Sequence, residues 1–193
     1  MSKQGIFFDT VNTPYGVFQI AASERGVVSI NFPKGHEPQP DRQRIPLPVR
    51  RTLADLKSFL KQYFSCHFGR KRALPIDWHF FTPFECVVLK AVQKVKPGWL
   101  TTYGALARGC GHAQAGRAVG NVLRRNLIPI LLPCHRVIRK DGSLGGYQSG
   151  RHWKKMLLSI ENGVNVTSPF VRGRRAPRSR AIDFAPRSDC VSN

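Results

Sequence analysis

The apolar residues of this chain change their spacing partway along it, and that change constrains the fold more than any other feature. Up to residue 32 they fall in short runs separated by turns. Ile6-Phe7-Phe8 is followed by the turn Thr13-Pro14-Tyr15-Gly16, residues 17–21 by the turn Ser23-Glu24-Arg25-Gly26, and Val27-Val28-Ser29-Ile30-Asn31-Phe32 resumes. Runs of this length bounded by turn residues predict a small antiparallel meander. Residues 33–48 are rich in Pro, Gln and charge and read as a long loop. Within 49–64 the spacing becomes three and four (Leu53, Leu56, Phe59, Leu60, Tyr63, Phe64), which predicts a helix with one apolar face. Gly69-Arg70-Lys71 reads as its stop, and Pro75-Ile76-Asp77-Trp78 as an extended piece leading away from this first unit. Strands followed by helices predict an α+β chain.

A second, mainly helical unit begins near Thr82. Thr82 is an N-cap, Pro83 takes the first helical position, and Glu85 completes capping-box spacing. Phe84, Val87, Val88, Ala91, Val92 and Val95 form the expected buried stripe, ended by Pro97-Gly98. Thr101-Thr102 can cap a short helix over 103–108, Gly109-Cys110-Gly111 is a turn, and a further helix is expected over 114–124. A short helix, a glycine turn and a second helix make a helix-turn-helix pattern. After Asn126 the stretch 128–138 is apolar, flanked by prolines, and carries Cys134-His135 in its middle. A glycine-rich loop at 141–147 and a last helix over 151–161, ended by Asn162-Gly163, follow. The remainder, 167–193, is rich in Arg, Pro and Ser and is expected to be disordered and to add loose affinity for phosphate. The expected domains are therefore 1–79, 80–166 and the tail 167–193.

Charge narrows the partners. The 193 residues hold 31 Lys and Arg against 11 acids, a net charge of +20. Such a surplus signals a polyanion, either nucleic acid or an anionic membrane surface. No apolar stretch approaches the roughly 20 residues of a spanning helix. Lys3 followed only by Ile6-Phe7-Phe8 before Asp9 does not make a signal peptide. The five cysteines are odd in number and scattered, which suggests reduced thiols in a cytoplasmic protein. A helix-turn-helix pattern on so basic a chain points to DNA.

Cys134 is the leading candidate for chemistry, because a thiolate is a strong nucleophile and its pKa falls beside a base. His135 adjoins it, but side chains of sequence neighbours seldom face one another. A bridging water would solve that geometry, with a carboxylate orienting the imidazole. Of the acids downstream (Asp141, Glu161, Asp183, Asp189), Glu161 is best placed, on a structured helix. From the residues alone, a buried core cysteine beside a structural histidine remains an equal reading. A metal site is disfavoured, since Cys110 with His112 and Cys134 with His135 form no C-x-x-C or spaced Cys/His set. The flanking signatures of papain-like and caspase-like hydrolases are missing.

Pro133-Cys134-His135-Arg136-Val137 resembles the active-site motif of the O6-alkylguanine-DNA alkyltransferases, also called methylated-DNA–protein-cysteine methyltransferases. Thr82-Pro83-Phe84 resembles the opening of that family's catalytic domain, and Tyr103-Gly104-Ala105-Leu106-Ala107 its first helix. Gly116-Arg117-Ala118-Val119-Gly120 resembles its recognition helix, Asn126 with Pro129-Ile130 its hinge, and Gly145-Gly146-Tyr147 its substrate loop. The spacings agree across 82–163. The first unit is similar in style only to the family's ribonuclease-like domain.

The resemblance implies an irreversible transfer of the alkyl group from O6-alkylguanine in duplex DNA to Cys134, by base flipping, once per molecule and without a cofactor. It leaves open whether O4-alkylthymine is also a substrate. His135 would act as base through water, Glu161 would orient it, Tyr103 would supply a proton to the departing guanine, and Asn126 would brace the nucleophile's turn. Arg117 would fill the gap left by the extruded base, with Thr102 and Gln114 beside it on the DNA. Tyr147, Gln148 and Lys154 would line the substrate pocket, to which Val137 would offer a backbone carbonyl. Sequence-tolerant binding to DNA as a monomer is expected. Some relatives hold zinc through N-terminal cysteines and histidines, but no Cys precedes Cys66 here, so no metal is expected. Gln148 stands where some relatives have a small polar residue, which bears on tolerance for bulky adducts. Cys66, Trp78-His79 and the basic tail depart from the family pattern. Two other readings stand beside this one: a binder that flags alkylated guanine without repairing it, and a helix-turn-helix regulator with an inert cysteine.

Overall fold

The structure is a computed structural model and describes residues 5–33, 44–68 and 73–162. The tail at 167–193 and the stop at Gly69-Arg70-Lys71 lie outside the described residues. Among those described, the fold is mixed: a three-stranded antiparallel sheet, a two-stranded parallel pair and five α-helices. The chain divides into two compact units, Met1–Phe81 with Leu127–Pro129, and Thr82–Asn126 with Ile130–Asn193.

In the first unit, β1 (Phe7–Thr13), β2 (Gly16–Ser23) and β3 (Gly26–Asn31) form the meander in the order β1-β2-β3. β1 runs well past its apolar start, because pairing with β2 from Phe7↔Ala22 to Thr13↔Gly16 satisfies the backbone of residues 9–13, of which only Val11 is apolar and buried. α1 (Leu47–Phe64) lays Val49, Leu53, Leu56, Leu60, Tyr63 and Phe64 on the sheet, where Phe18, Ile20 and Ile30 are fully or almost fully buried. Phe59, expected on that face, is only half-buried. α1 ends at Phe64 in a Schellman arrangement: Cys66 takes a left-handed φ of 59°, its N–H donates to Tyr63 O at 3.1 Å, and His67 N–H donates to Gln62 O at 2.9 Å.

The piece at 75–77 does not lead away from this unit. Val27 N donates to Pro75 O at 2.9 Å and Asp77 N to Val27 O at 3.0 Å, so Ile76 returns alongside β3 as a parallel bridge. Two groups hold it there. Gly26 leaves no room for a side chain, since a Cβ would come 2.5 Å from Pro75 O. The buried Asp77 carboxylate accepts from Ser23 Oγ at 2.5 Å. Leu127 belongs to the same unit, and its carbonyl accepts from Ile30 N at 2.9 Å.

The second unit opens with α2 (Pro83–Gln93), whose capping box is formed: Thr82 Oγ1 accepts from Glu85 N, and Glu85 Oε2 accepts from Thr82 N at 2.9 Å. Val88, Ala91, Val92 and Val95 are buried as expected, but Leu89 joins them while Phe84 and Val87 are only half-buried. The helix-turn-helix is α3 (Tyr103–Gly109) packed on α4 (Gly116–Arg124). α4 starts two residues later than its pattern suggested, because Ala115 N donates to His112 O and closes a separate turn. β4 (Thr101–Thr102) pairs in parallel with β5 (Val137–Ile138), and α5 (Arg151–Glu161) follows. Two-residue strands carry no periodicity, so nothing in the sequence announced β4 or β5. No helix among the described residues is long and apolar enough to cross a membrane.

Candidate active site

The site lies wholly in the second unit and is built around the bend after α4. Asn126 is buried, and its amide nitrogen donates to Leu132 O at 2.7 Å and to Cys134 Sγ at 3.2 Å. One side chain thus closes the loop from 126 to 134. The loop includes Ile130 at a φ of +71°, a conformation a β-branched residue adopts only when its surroundings force it. Cys134 then opens a short 3-10 turn, Cys134–Arg136, that leads into β5.

Cys134 is 6% exposed. Burial pushes its thiol above the usual range, and the opposing influences of Asn126, Tyr147 and Lys154 only partly offset this. The expectation of a pKa lowered by the neighbouring base is therefore corrected: desolvation wins, and the resting group is a thiol.

Behind it lies a buried ionic network. His135 Nε2 is 2.7 Å from Glu161 Oε1. The Arg136 guanidinium grips the same carboxylate, with Nε 2.9 Å from Oε2 and Nη2 2.7 Å from Oε1. Gly98 N donates to Oε2 at 3.3 Å, and Arg136 Nη1 donates to Val95 O. Burial alone would raise the Glu161 carboxyl, but the hydrogen bonds and charges of His135 and Arg136 outweigh it and hold the group at about 2. Burial pushes the His135 imidazole down, towards its neutral form. An ionised carboxylate can only accept, so Nε2 carries the proton of the neutral ring and Nδ1 is its basic nitrogen. Arg136 was not singled out from sequence. The available signal was a cation inside an otherwise apolar run, which requires a buried counter-charge.

Cys134 opens onto a cleft of about 500 Å³, which Tyr103, Arg117, Tyr147 and Gln148 also line. Glycines shape the wall beside Tyr103. Gly145, at a φ of +68°, lies so close to Tyr103 that a Cβ there would crowd the phenol hydroxyl at 3.0 Å. Gly120 lies beside the same ring, whose Cδ1 and Cε1 would be 3.8 Å from a Cβ placed there. Burial and the nearby Cys134 raise the Tyr103 phenol above its ordinary value, so it keeps its proton.

Other expected site residues fall elsewhere. Lys154 is fully buried and does not line the cleft; its ammonium donates to Val137 O at 2.6 Å and to Leu144 O, and sits 5.9 Å from the centre of the Tyr103 ring. Burial lowers it from 10.5 to about 8. Val137 likewise lies off the cleft wall, its carbonyl turned to Lys154. An ammonium so buried needs acceptors, and these carbonyls supply them. Thr102 caps α3, its hydroxyl accepting from Ala105 N at 3.2 Å, and Gln114 is exposed in the turn before α4. Arg124 and Arg139, not anticipated, line the cleft beside Arg117. Among the described residues no three His, Cys, Asp or Glu side chains cluster as metal ligands would.

Residues 83–163 match the family model for the DNA-binding domain of 6-O-methylguanine DNA methyltransferase. The chain is 30% identical over 181 residues to the methylated-DNA–protein-cysteine methyltransferase of Rattus norvegicus, covering 86% of each protein. It is 33% identical over 162 residues to that of Methanosarcina barkeri, covering 81% of this chain and 97% of the relative. Among solved structures it resembles Mycobacterium tuberculosis OGT in complex with DNA, with a TM-score of 0.66 at 27% identity over 81% of this chain and 92% of that one. The chain belongs to the methylated-DNA–protein-cysteine methyltransferases, DNA repair proteins with a DNA-binding domain.

Proposed function

We propose that the protein removes the alkyl group from O6-alkylguanine in duplex DNA and keeps it on Cys134. What carries this reading is the meeting in one cleft of a buried cysteine, a phenol that keeps its proton, and the arginine-bearing helix of a helix-turn-helix. An O6 adduct sits on the pairing edge of guanine and is out of reach while the base is stacked. The nucleotide must swing out, at a cost of about a few kcal/mol that the weakened pairing of a damaged base reduces. Arg117, exposed near the start of α4, fills the space the base leaves. Because the α4 contacts are to backbone and minor groove, binding tolerates any surrounding sequence. A monomer suffices.

Chemistry starts from the thiol. Its proton passes through a bridging water to Nδ1 of His135, whose other nitrogen is held on Glu161, and the resulting imidazolium is stabilised by that carboxylate. The thiolate attacks the alkyl carbon; the S–C bond forms as the C–O6 bond breaks. The electron pair leaves with guanine, which takes a proton from Tyr103, and the phenolate is reprotonated from the imidazolium. Asn126 holds the sulfur on its line of attack throughout. A thioether has no good leaving group, so each molecule acts once, and no cofactor is needed.

The test is a duplex carrying O6-methylguanine with a radiolabelled methyl group. Label moves to protein, stops at a single equivalent, and is lost in Cys134→Ser. Wild-type protein that binds the duplex but accepts no label refutes the transfer reading.

A further inference from the structure

Arg139 stands outside every role assigned above. It follows β5, and its backbone closes a tight turn: Arg139 N donates to Ser143 O at 2.9 Å, and Gly142 N donates to Arg139 O at 3.0 Å. Asp141, in the same turn, feels the Arg139 charge but forms no ion pair with it; its Oδ1 accepts from Ser143 N at 2.9 Å. Arg139 is exposed and lines the cleft, and no acidic side chain lines it with Arg139. Among the described residues no carboxylate lies within ion-pair distance of Arg139, Arg117 or Arg124. Three guanidiniums around one opening, none of them in an ion pair among the described residues, call for a ligand with more than one negative charge.

The three do not come from one surface. Arg117 and Arg124 are seven residues apart on α4 and share its face, whereas Arg139 reaches the cleft from a different segment. A Cβ placed on Gly145 would lie 3.0 Å from the Tyr103 hydroxyl and 3.7 Å from Arg139 Cγ. The stem of Arg139 therefore runs beside the wall that holds Tyr103, with the guanidinium further out along an exposed side chain. A nucleotide that puts its base against Tyr103 and Cys134 brings its own phosphate to that mouth.

We propose that Arg139 binds the backbone phosphate of the swung-out nucleotide, a contact separate from those made by α4. This rests on the extruded-nucleotide reading above. The guanidinium fork matches two phosphate oxygens, and neutralising one phosphate releases condensed counterions. Arg139 thereby favours the extruded state over the stacked one, since the phosphate reaches it only after the backbone has turned.

The experiment compares wild type, Arg139→Gln and Arg139→Lys in methyl transfer from an O6-methylguanine duplex over a range of salt, and from O6-methylguanine as the free base. With duplex, Arg139→Gln lowers the second-order transfer rate roughly tenfold at low salt and makes its log–log salt slope shallower by about 0.9. Arg139→Lys keeps most of both, as a point charge would. Transfer from the free base, which has no phosphate, is the same for all three. A salt slope unchanged in Arg139→Gln overturns the proposal, and so does a free-base rate that falls in step with the duplex rate, which would assign Arg139 to the chemistry at Tyr103. Wild type that takes no methyl group at any salt overturns the extruded-nucleotide reading itself, and this contact with it.

Discussion

Asn126 holds the sulfur of Cys134 at 3.2 Å with the same amide nitrogen that donates to the Leu132 carbonyl at 2.7 Å. The proposed nucleophile and the loop carrying it are therefore held by one side chain eight residues upstream. Asn126→Ala removes both bonds and leaves a buried carbonyl short of a donor, at a cost of about 1–3 kcal/mol. The transfer rate is expected to fall further than stability predicts, because the thiol also loses a partner that lowers its pKa. Urea denaturation and single-turnover transfer, measured on the same variant, separate the two effects.

Glu161 makes stability depend on acid. Its folded pKa of about 2 lies below the ordinary 4.5, so the unfolded chain binds the proton more readily. Its stabilising contribution is present above pH 4.5 and is lost as the pH falls through about 2. Glu161→Gln abolishes that part of the pH dependence. It also strands the buried Arg136 charge, at a cost of about 3–5 kcal/mol. Denaturation curves at a series of acid pH values for both proteins provide the check, and equal slopes would refute the assignment.

Lys154 acts at the other end of the scale. Its folded pKa of about 8 is below 10.5, so between these values the unfolded chain again holds more protons and stability rises with pH. Wild type is expected to gain on Lys154→Met through this window. The variant also leaves the Val137 and Leu144 carbonyls without their ammonium donor, which loosens the glycine loop. Hydrogen exchange of residues 144–147 should quicken in Lys154→Met.

Gly145 and Gly142 offer a matched pair. Both have positive φ, +68° and +81°, so alanine at either costs about 1–2 kcal/mol of backbone strain. A Cβ at Gly142 meets nothing within 4 Å, whereas at Gly145 it crowds the Tyr103 hydroxyl at 3.0 Å and pushes it from its place. Both variants should lose similar stability, but Gly145→Ala alone should lose most of its transfer activity. Equal transfer rates would show that the Tyr103 hydroxyl is not needed where the structure holds it.

The capping box of α2 supplies the opposite control. Thr82→Ala should cost about 1 kcal/mol, read as a lower melting temperature, and leave transfer per folded molecule unchanged.

Much of this architecture was legible because it is encoded locally. The meander, the faces of α1 and α2, the α2 capping box and the α3–α4 pair each follow from a spacing or a cap within about a dozen residues. The motif around Cys134 pointed to that residue as the proposed nucleophile, and the structured acid downstream, Glu161, lies 2.7 Å from His135 Nε2. What went unread depends on groups far apart in the chain. The bridge of Ile76 to Val27 turned an expected exit into an added edge on the sheet. The pairing of β4 with β5 joins Thr101 to Val137. Arg136 meets Glu161 across 25 positions, and no periodicity reports that. Lys154 and Val137 were read onto the cleft wall but pair with each other off it.

By itself the sequence determined the classes of element, the motif around Cys134 and the expectation of an anionic partner, since residue spacing, residue order and net charge do not depend on packing. Only the tertiary structure decided the protonation state and environment of each site group. Burial makes Cys134 a thiol and His135 a neutral base, and keeps the proton on Tyr103. The cost of desolvating a charge is a property of the space around it, and that space is assembled from segments that the order of residues along the chain does not bring together.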